Sequence, residues 1–124
     1  MLSKLEVCAT IPASDLKRAK EFYIKVLEFK PDSELPGGIV FKCRNSRFFL
    51  YPTQFAGTAK NTLASWETGN LEKEVAELKS RGVKFEEYDY PELKTVNSIA
   101  TSGSLKAAWF KDSEGNILGI TQPG

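Results

Sequence analysis

The sequence predicts an α+β fold of two tandem βαβββ modules in one 124-residue domain. Three observations carry this. The order strand, helix, strand, strand, strand is read twice along the chain, at a spacing of about 55 residues. Each half contains one amphipathic helix opened by a capping residue. Turn residues separate the hydrophobic runs where hairpins are needed, at Pro36-Gly37-Gly38 and at Asp112–Asn116. Module 1 occupies about 1–56 and module 2 about 57–124, and the whole length, 1–124, suffices for one core.

In the first module Leu5, Val7, Ala9 and Ile11 alternate with Glu6, Cys8 and Thr10, the pattern of a half-buried strand that Pro12 ends. Ser14 is placed to cap a helix starting near Asp15. Leu16, Ala19, Phe22, Tyr23, Val26 and Leu27 recur at helical spacing, with Lys17, Arg18, Lys20, Glu21 and Lys25 on the outer side. Strands follow at Phe29–Glu34, Ile39–Arg44 and Arg47–Tyr51, the last two joined at Asn45-Ser46. In the second module Asn61–Glu67 reads as a strand. Asn70 caps a helix through Arg81 that carries Leu71, Val75 and Leu78, and Gly82 closes it. Strands are expected at Val83–Tyr90, Leu105–Lys111 and Ile117–Thr121, with a long loop, Pro91–Gly103, before the second of these.

Composition excludes several functions. The 17 basic and 16 acidic residues leave a net charge of +1, without the basic excess of a nucleic-acid binder. No apolar run approaches the roughly 18 residues of a membrane span, and the first residues do not read as a signal peptide. Cys8 and Cys43 then read as reduced thiols, and the expected location is cytoplasmic. The chain contains no histidine, which removes Ser-His-Asp and Cys-His catalysis and the His-based zinc and iron sites. Glu86, Glu87 and Asp89 read as a solvated strand face, and Asp112–Asn116 as a turn whose spacing does not fit a calcium loop.

Two segments carry a family resemblance. Ile11–Lys30 (IPASDLKRAKEFYIKVLEFK) is close to a strand-end, Asp-Leu, Phe-Tyr-x-x-x-Leu-Gly-Phe pattern, with Glu28 in place of its Gly. Ala108–Ile120 (AWFKDSEGNILGI) is close to Phe-x-Asp-Pro-Asp-Gly-Asn-x-x-Glu-Leu, with Ser113-Glu114 in place of Pro-Asp. At this separation the chain resembles the vicinal oxygen chelate superfamily of glyoxalases, extradiol dioxygenases, fosfomycin-resistance enzymes and bleomycin-resistance proteins. The resemblance implies mixed sheets curled into cups, with the helices on the convex side. It also implies metal-ligand positions at Cys8, where His is usual, near Leu63, at Gly119 in place of a glutamate, and within Phe49–Tyr51. Leu63 and Gly119 carry no donor, so no metal, no other cofactor and no catalytic residue is expected.

Apolar parity assigns Leu5, Val7, Ala9, Ile11, Ala64, Trp66, Leu118 and Ile120 to the helix side. The opposite parity should line the cup: Cys8, Thr10, Arg47, Phe49, Tyr51, Leu63, Ser65, Ile117, Gly119 and Thr121, with Trp109 as an aromatic wall. Such a lining suits a neutral or weakly anionic organic molecule. The expected function is a metal-free small-molecule-binding protein that sequesters an organic compound or antibiotic. The alternatives are an enzyme working without the family metal, and a structural or regulatory dimer with a vestigial pocket. The expected partners are a small organic molecule and a second copy of the chain, with no nucleic acid and no membrane.

Overall fold

The computed structural model describes residues 1–124. In module 1, β1 (Ala9–Ala13) runs parallel to β4 (Ser46–Pro52), placing Ile11 opposite Leu50. β3 (Gly38–Cys43) pairs antiparallel with β4, and β2 (Lys30–Leu35) with β3, giving the order β1-β4-β3-β2. Strand β2 is exposed throughout and bears Pro31 beside a register shift, which blunts a free sheet edge.

The expected strand from Leu5 does not begin there. A 3₁₀ turn covers Leu2–Lys4, and Leu5 and Val7 are 67% and 96% exposed rather than on the helix side. The reason is the partner: Ala9 already lies opposite Phe48, and β4 starts only at Ser46, leaving Leu5 and Glu6 nothing to pair with. At the other end Pro12 continues the strand. β1 is an edge strand hydrogen-bonded only to β4, where a missing N–H is tolerated.

Helix α1 (Leu16–Glu21) is capped by Asp15, whose carboxylate accepts from the Arg18 N–H at 3.1 Å. Ser14 instead donates its hydroxyl to Glu114. A π-helical stretch, Phe22–Val26, follows and buries Tyr23. Glu28 then adopts φ +63, the left-handed conformation for which the family pattern uses glycine, and its carboxylate is held by Arg81 at 2.8 Å.

In module 2, β5 (Thr62–Glu67) runs parallel to β9 (Ile117–Gln122), and β8 (Leu105–Lys111) pairs antiparallel with β9. Helix α2 (Leu71–Ser80) is capped by Asn70, which accepts from the Lys73 N–H at 3.2 Å, and Gly82 leaves it at φ +89. The expected strand Val83–Tyr90 is absent; only single bridges form, Phe85 with Phe110 and Asp89 with Lys94. The remaining edge of β8 is taken by a hairpin inside the expected loop, β6 (Thr95–Val96) and β7 (Ile99–Ser102). Asn97 and Ser98 both have positive φ, the signature of a type I′ turn. Glu87 pins this hairpin by accepting from the Thr95 hydroxyl, the Ser98 N–H and the Ser98 hydroxyl. The second sheet thus has the order β5-β9-β8-β7-β6.

The inner faces of both sheets and both helices share one apolar core. Ile11, Tyr23, Phe41, Phe48 and Leu50 from module 1 join Leu71, Phe110, Leu118 and Ile120 from module 2. The β8–β9 turn locks the modules together. Asp112 Oδ1 accepts from the N–H groups of Glu114 and Asn116, and Oδ2 accepts from the Tyr23 hydroxyl at 2.6 Å. Asn116 donates to the Pro12 carbonyl and accepts from the Gly57 N–H. A Cβ on Gly57 would lie 2.5 Å from the Glu114 carbonyl oxygen, so this crossing requires glycine.

The Glu114 side chain is fully buried and takes a two-pronged bond from Arg18, at 2.8 and 3.0 Å, and the Asp15 N–H at 2.8 Å. Burial by itself would raise its pKa. Arg18, the Asp15 N–H and the Ser113 and Ser14 hydroxyls outweigh this and hold it at about 2, against an ordinary 4.5. A depressed folded-state pKa contributes stability that is present above 4.5 and is lost as pH falls towards about 2. Urea unfolding across that window should therefore lose on the order of 2–3 kcal/mol through this group. The wild type should show the steeper acid dependence and Glu114→Gln the shallower; equal slopes would refute the assignment.

Candidate functional site

The faces of both sheets that point away from the shared core carry most of the residues expected to line a site. On β9 Leu118 and Ile120 enter the core, while Ile117, Gly119 and Thr121 have the opposite parity. On β4 Phe48 and Leu50 are buried, leaving Arg47, Phe49 and Tyr51 outward. Thr10 lies opposite Phe49 on the neighbouring strand and is exposed. Cys8 precedes β1, with its Sγ 3.4 Å from the Arg47 carbonyl oxygen and 3.5 Å from that of Ala9. Both cysteines are free.

Two groups of side chains result. In module 1 the Phe49 and Tyr51 rings lie parallel, 8° apart in plane and 6.3 Å between centroids, with Arg47 towards the strand start. In module 2 Gly119 lies between Ser65 on β5 and Trp109 on β8, its direct partners in the two ladders. A Cβ at Gly119 would meet Ser65 Oγ at 2.7 Å, Thr62 Cγ2 at 3.4 Å and Trp109 Cδ1 at 3.5 Å. No hydrogen bond or aromatic contact joins one group to the other.

Parity fails at Leu63. The β5–β9 register shifts between Thr62 and Ala64, and Leu63, at that irregularity, packs against the core cluster. Thr62 stands beside Gly119 in its place. A bulge offsets the alternation by one residue, and nothing in the local sequence marks it. Sequence reasoning also left Tyr88 and Tyr90 outside the site. Tyr88 meets Trp109 edge-on at 5.5 Å and stacks on Tyr90 at 6.1 Å, so three aromatic side chains continue outward from Gly119. Burial chiefly, then Glu86 and Tyr90, raise the Tyr88 phenol above its ordinary range, keeping it a hydrogen-bond donor at neutral pH.

This arrangement can stack flat apolar groups and offer hydroxyl donors and one guanidinium. It holds no dyad of nucleophile and base, because Cys8 faces only carbonyl oxygens. At the metal positions that the resemblance implies, Leu63 and Gly119 bring no donor atom, and no three His, Cys, Asp or Glu side chains come together anywhere. The residues present do not fit the family metal.

The match to known proteins spans the chain. The model of the Glyoxalase/Bleomycin resistance protein/Dioxygenase superfamily matches residues 5–119. Among solved structures, the chain is similar to TnmS3, an antibiotic binding protein from Streptomyces sp. CB03234. The TM-score is 0.69 at 20% identity, covering 97% of this chain and 98% of that one. It is similar to a glyoxalase family protein from Enterococcus faecalis, with a TM-score of 0.73 at 19% identity over 98% and 99% of the chains. The lactoylglutathione lyase of Agrobacterium tumefaciens gives 0.65 at 19% identity over 95% and 92%. At these identities the likeness speaks to fold alone. No curated protein matches by sequence. With both modules, the Asp112–Asn116 turn and a family match over nearly the whole length, the chain belongs to the Glyoxalase/Bleomycin resistance protein/Dioxygenase superfamily.

Proposed function

We propose that this protein is a metal-free binder of a small aromatic organic compound, of the antibiotic-sequestering kind, and that it uses the outward sheet faces. The single observation that carries the reading is the surrounding of Gly119. A residue without a side chain lies beneath an outward aromatic group, where the metal-dependent pattern has a glutamate. The lining on this reading is Cys8, Thr10, Arg47, Phe49, Tyr51, Ser65, Trp109, Ile117, Gly119 and Thr121. Thr62 and Tyr88 join them, and Leu63 stands at the margin. Flat apolar groups stack on Trp109, Tyr88, Phe49 and Tyr51, and the hydroxyls and Arg47 orient polar substituents. Likeness in fold to an antibiotic binding protein supports the class of ligand.

The test is a thermal-shift screen with polycyclic aromatic antibiotics, followed by calorimetry. Saturable binding at one site per module pair, unchanged by chelator, is expected. Elemental analysis of the purified protein should find no stoichiometric zinc, nickel, iron or manganese; about one tightly held ion per chain would overturn the metal-free reading.

A homodimer is part of the proposal. Phe49 and Tyr51 stack side by side on the outward face of β4, and a second copy closing over that face would enclose a ligand. Light scattering at tens of micromolar should give twice the chain mass of 13.8 kDa. A monomer at that concentration would remove this part.

A further inference from the structure

A cavity lies on the side of the sheets opposite to those outward faces, where the modules meet. It measures about 280 Å³ and opens between the end of the first helical segment, α2 and the inner face of the second sheet. Its walls include Phe29, Trp66, Leu78 and Phe110. The Phe29 and Trp66 rings approach to 5.6 Å across the module boundary, and both stay half-buried although they pack against the shared core. The gap between the helices leaves them uncovered.

Two acidic side chains line this cavity, Glu67 from the end of β5, which is exposed, and Glu74 from α2. Glu74 sits one turn before Leu78 on α2 and is half-buried. The ion pairs around it are made by others: Arg81 binds Glu28 and Glu77, and Lys106 binds Glu72. Glu74 pairs with no cation, and its side chain accepts no hydrogen bond. An unneutralised carboxylate beside aromatic faces attracts an organic cation, through charge on one side and ring quadrupoles on the other. Drug-sized pockets span about 300–1,000 Å³, so this one suits a single ring with a short arm.

We propose that the cavity is a second binding site, selective for a small arylalkyl ammonium ion, whose ring enters between Phe29, Trp66 and Phe110 while its ammonium meets Glu74. It is independent of the outward-face site. Its probe is 2-phenylethylammonium, compared with the neutral 2-phenylethanol. Calorimetry on the wild type should show one saturable site per chain. The ammonium should bind about tenfold tighter than the alcohol, the usual worth of one charge-assisted hydrogen bond. Glu74→Gln should remove that preference while leaving the alcohol's affinity unchanged. In Trp109→Phe, where Trp66 is the one remaining tryptophan, the ammonium should still change the fluorescence, which separates this site from the outward face. Leu78→Trp should fill the cavity and abolish both ligands; should it fail to fold, the Glu74→Gln comparison decides. Equal affinities of the two ligands in the wild type, a preference surviving in Glu74→Gln, or no saturation by about 10 mM would each overturn the proposal.

Discussion

Asp112→Ala should destabilise the protein by about 3–5 kcal/mol, and by more than any single aliphatic truncation at the sheet edges. The Asp112 carboxylate accepts from the Tyr23 hydroxyl, two backbone N–H groups and the Asn116 side-chain amide, all between 2.6 and 2.9 Å. Alanine leaves these donors buried without an acceptor, and each costs about 1–3 kcal/mol when water cannot reach it. Burial first, then Asp112, push the Tyr23 pKa upward, so the phenol stays a donor at any working pH. For a chain of this size the loss should appear as a melting point roughly 10–20 °C lower. Tyr23→Phe should cost less, because it removes one donor and leaves three. The double variant should lose less than the two single losses added, by about 1–2 kcal/mol, since both act on one bond. A loss below about 1 kcal/mol for Asp112→Ala would mean that the turn does not clamp the modules.

The second large effect concerns binding. Gly119→Trp should abolish the thermal stabilisation given by an aromatic antibiotic identified in the screen, while the variant still folds. The new Cβ meets Ser65 Oγ at 2.7 Å, the end of a short side chain that rotates aside, and next Thr62 Cγ2 and Trp109 Cδ1 at 3.4 and 3.5 Å. The indole then occupies the outward face beside Trp109. Its fit should cost the apo protein about 1–3 kcal/mol, and combining it with Ser65→Ala should recover part of that. Undiminished binding by the folded variant would place the ligand elsewhere. Binding of 2-phenylethylammonium should persist in the same variant, because its cavity lies across the sheet.

Much of this arrangement is legible in the residues. Phe48 and Leu50 against Phe49 and Tyr51, and Leu118 and Ile120 against Gly119, declare which face of each strand is buried, because the strand period is two. Asn70 and Gly82 mark the ends of α2 by their own backbone chemistry. The Asp112–Asn116 turn is recognisable as a motif. The Asn97-Ser98 hairpin is not marked by its dipeptide alone: the same dipeptide at Asn45-Ser46, expected as a turn, is offset from the observed one, which lies at Arg44-Asn45 with Ser46 already paired to Cys43.

Other features depend on partners distant in sequence. Leu5 alternates with its neighbours as a strand should, yet β4 begins at Ser46 and offers it no ladder. Val83–Tyr90 has strand composition, but β7 holds the edge of β8 it would have paired with, and one bridge at Phe85 remains. Ser14 and Asp15 are both good caps. Glu114, 100 residues away, claims the Ser14 hydroxyl and leaves the cap to Asp15. The bulge that moves Leu63 towards the core and brings Thr62 to Gly119 is likewise set by the β5–β9 register. By itself, then, the sequence determined the periodicities, caps and turns, which rest on forces acting within a few residues. The tertiary structure alone decided pairing, register and the junction cavity, because these depend on which edges and buried charges meet once the two modules close on a common core.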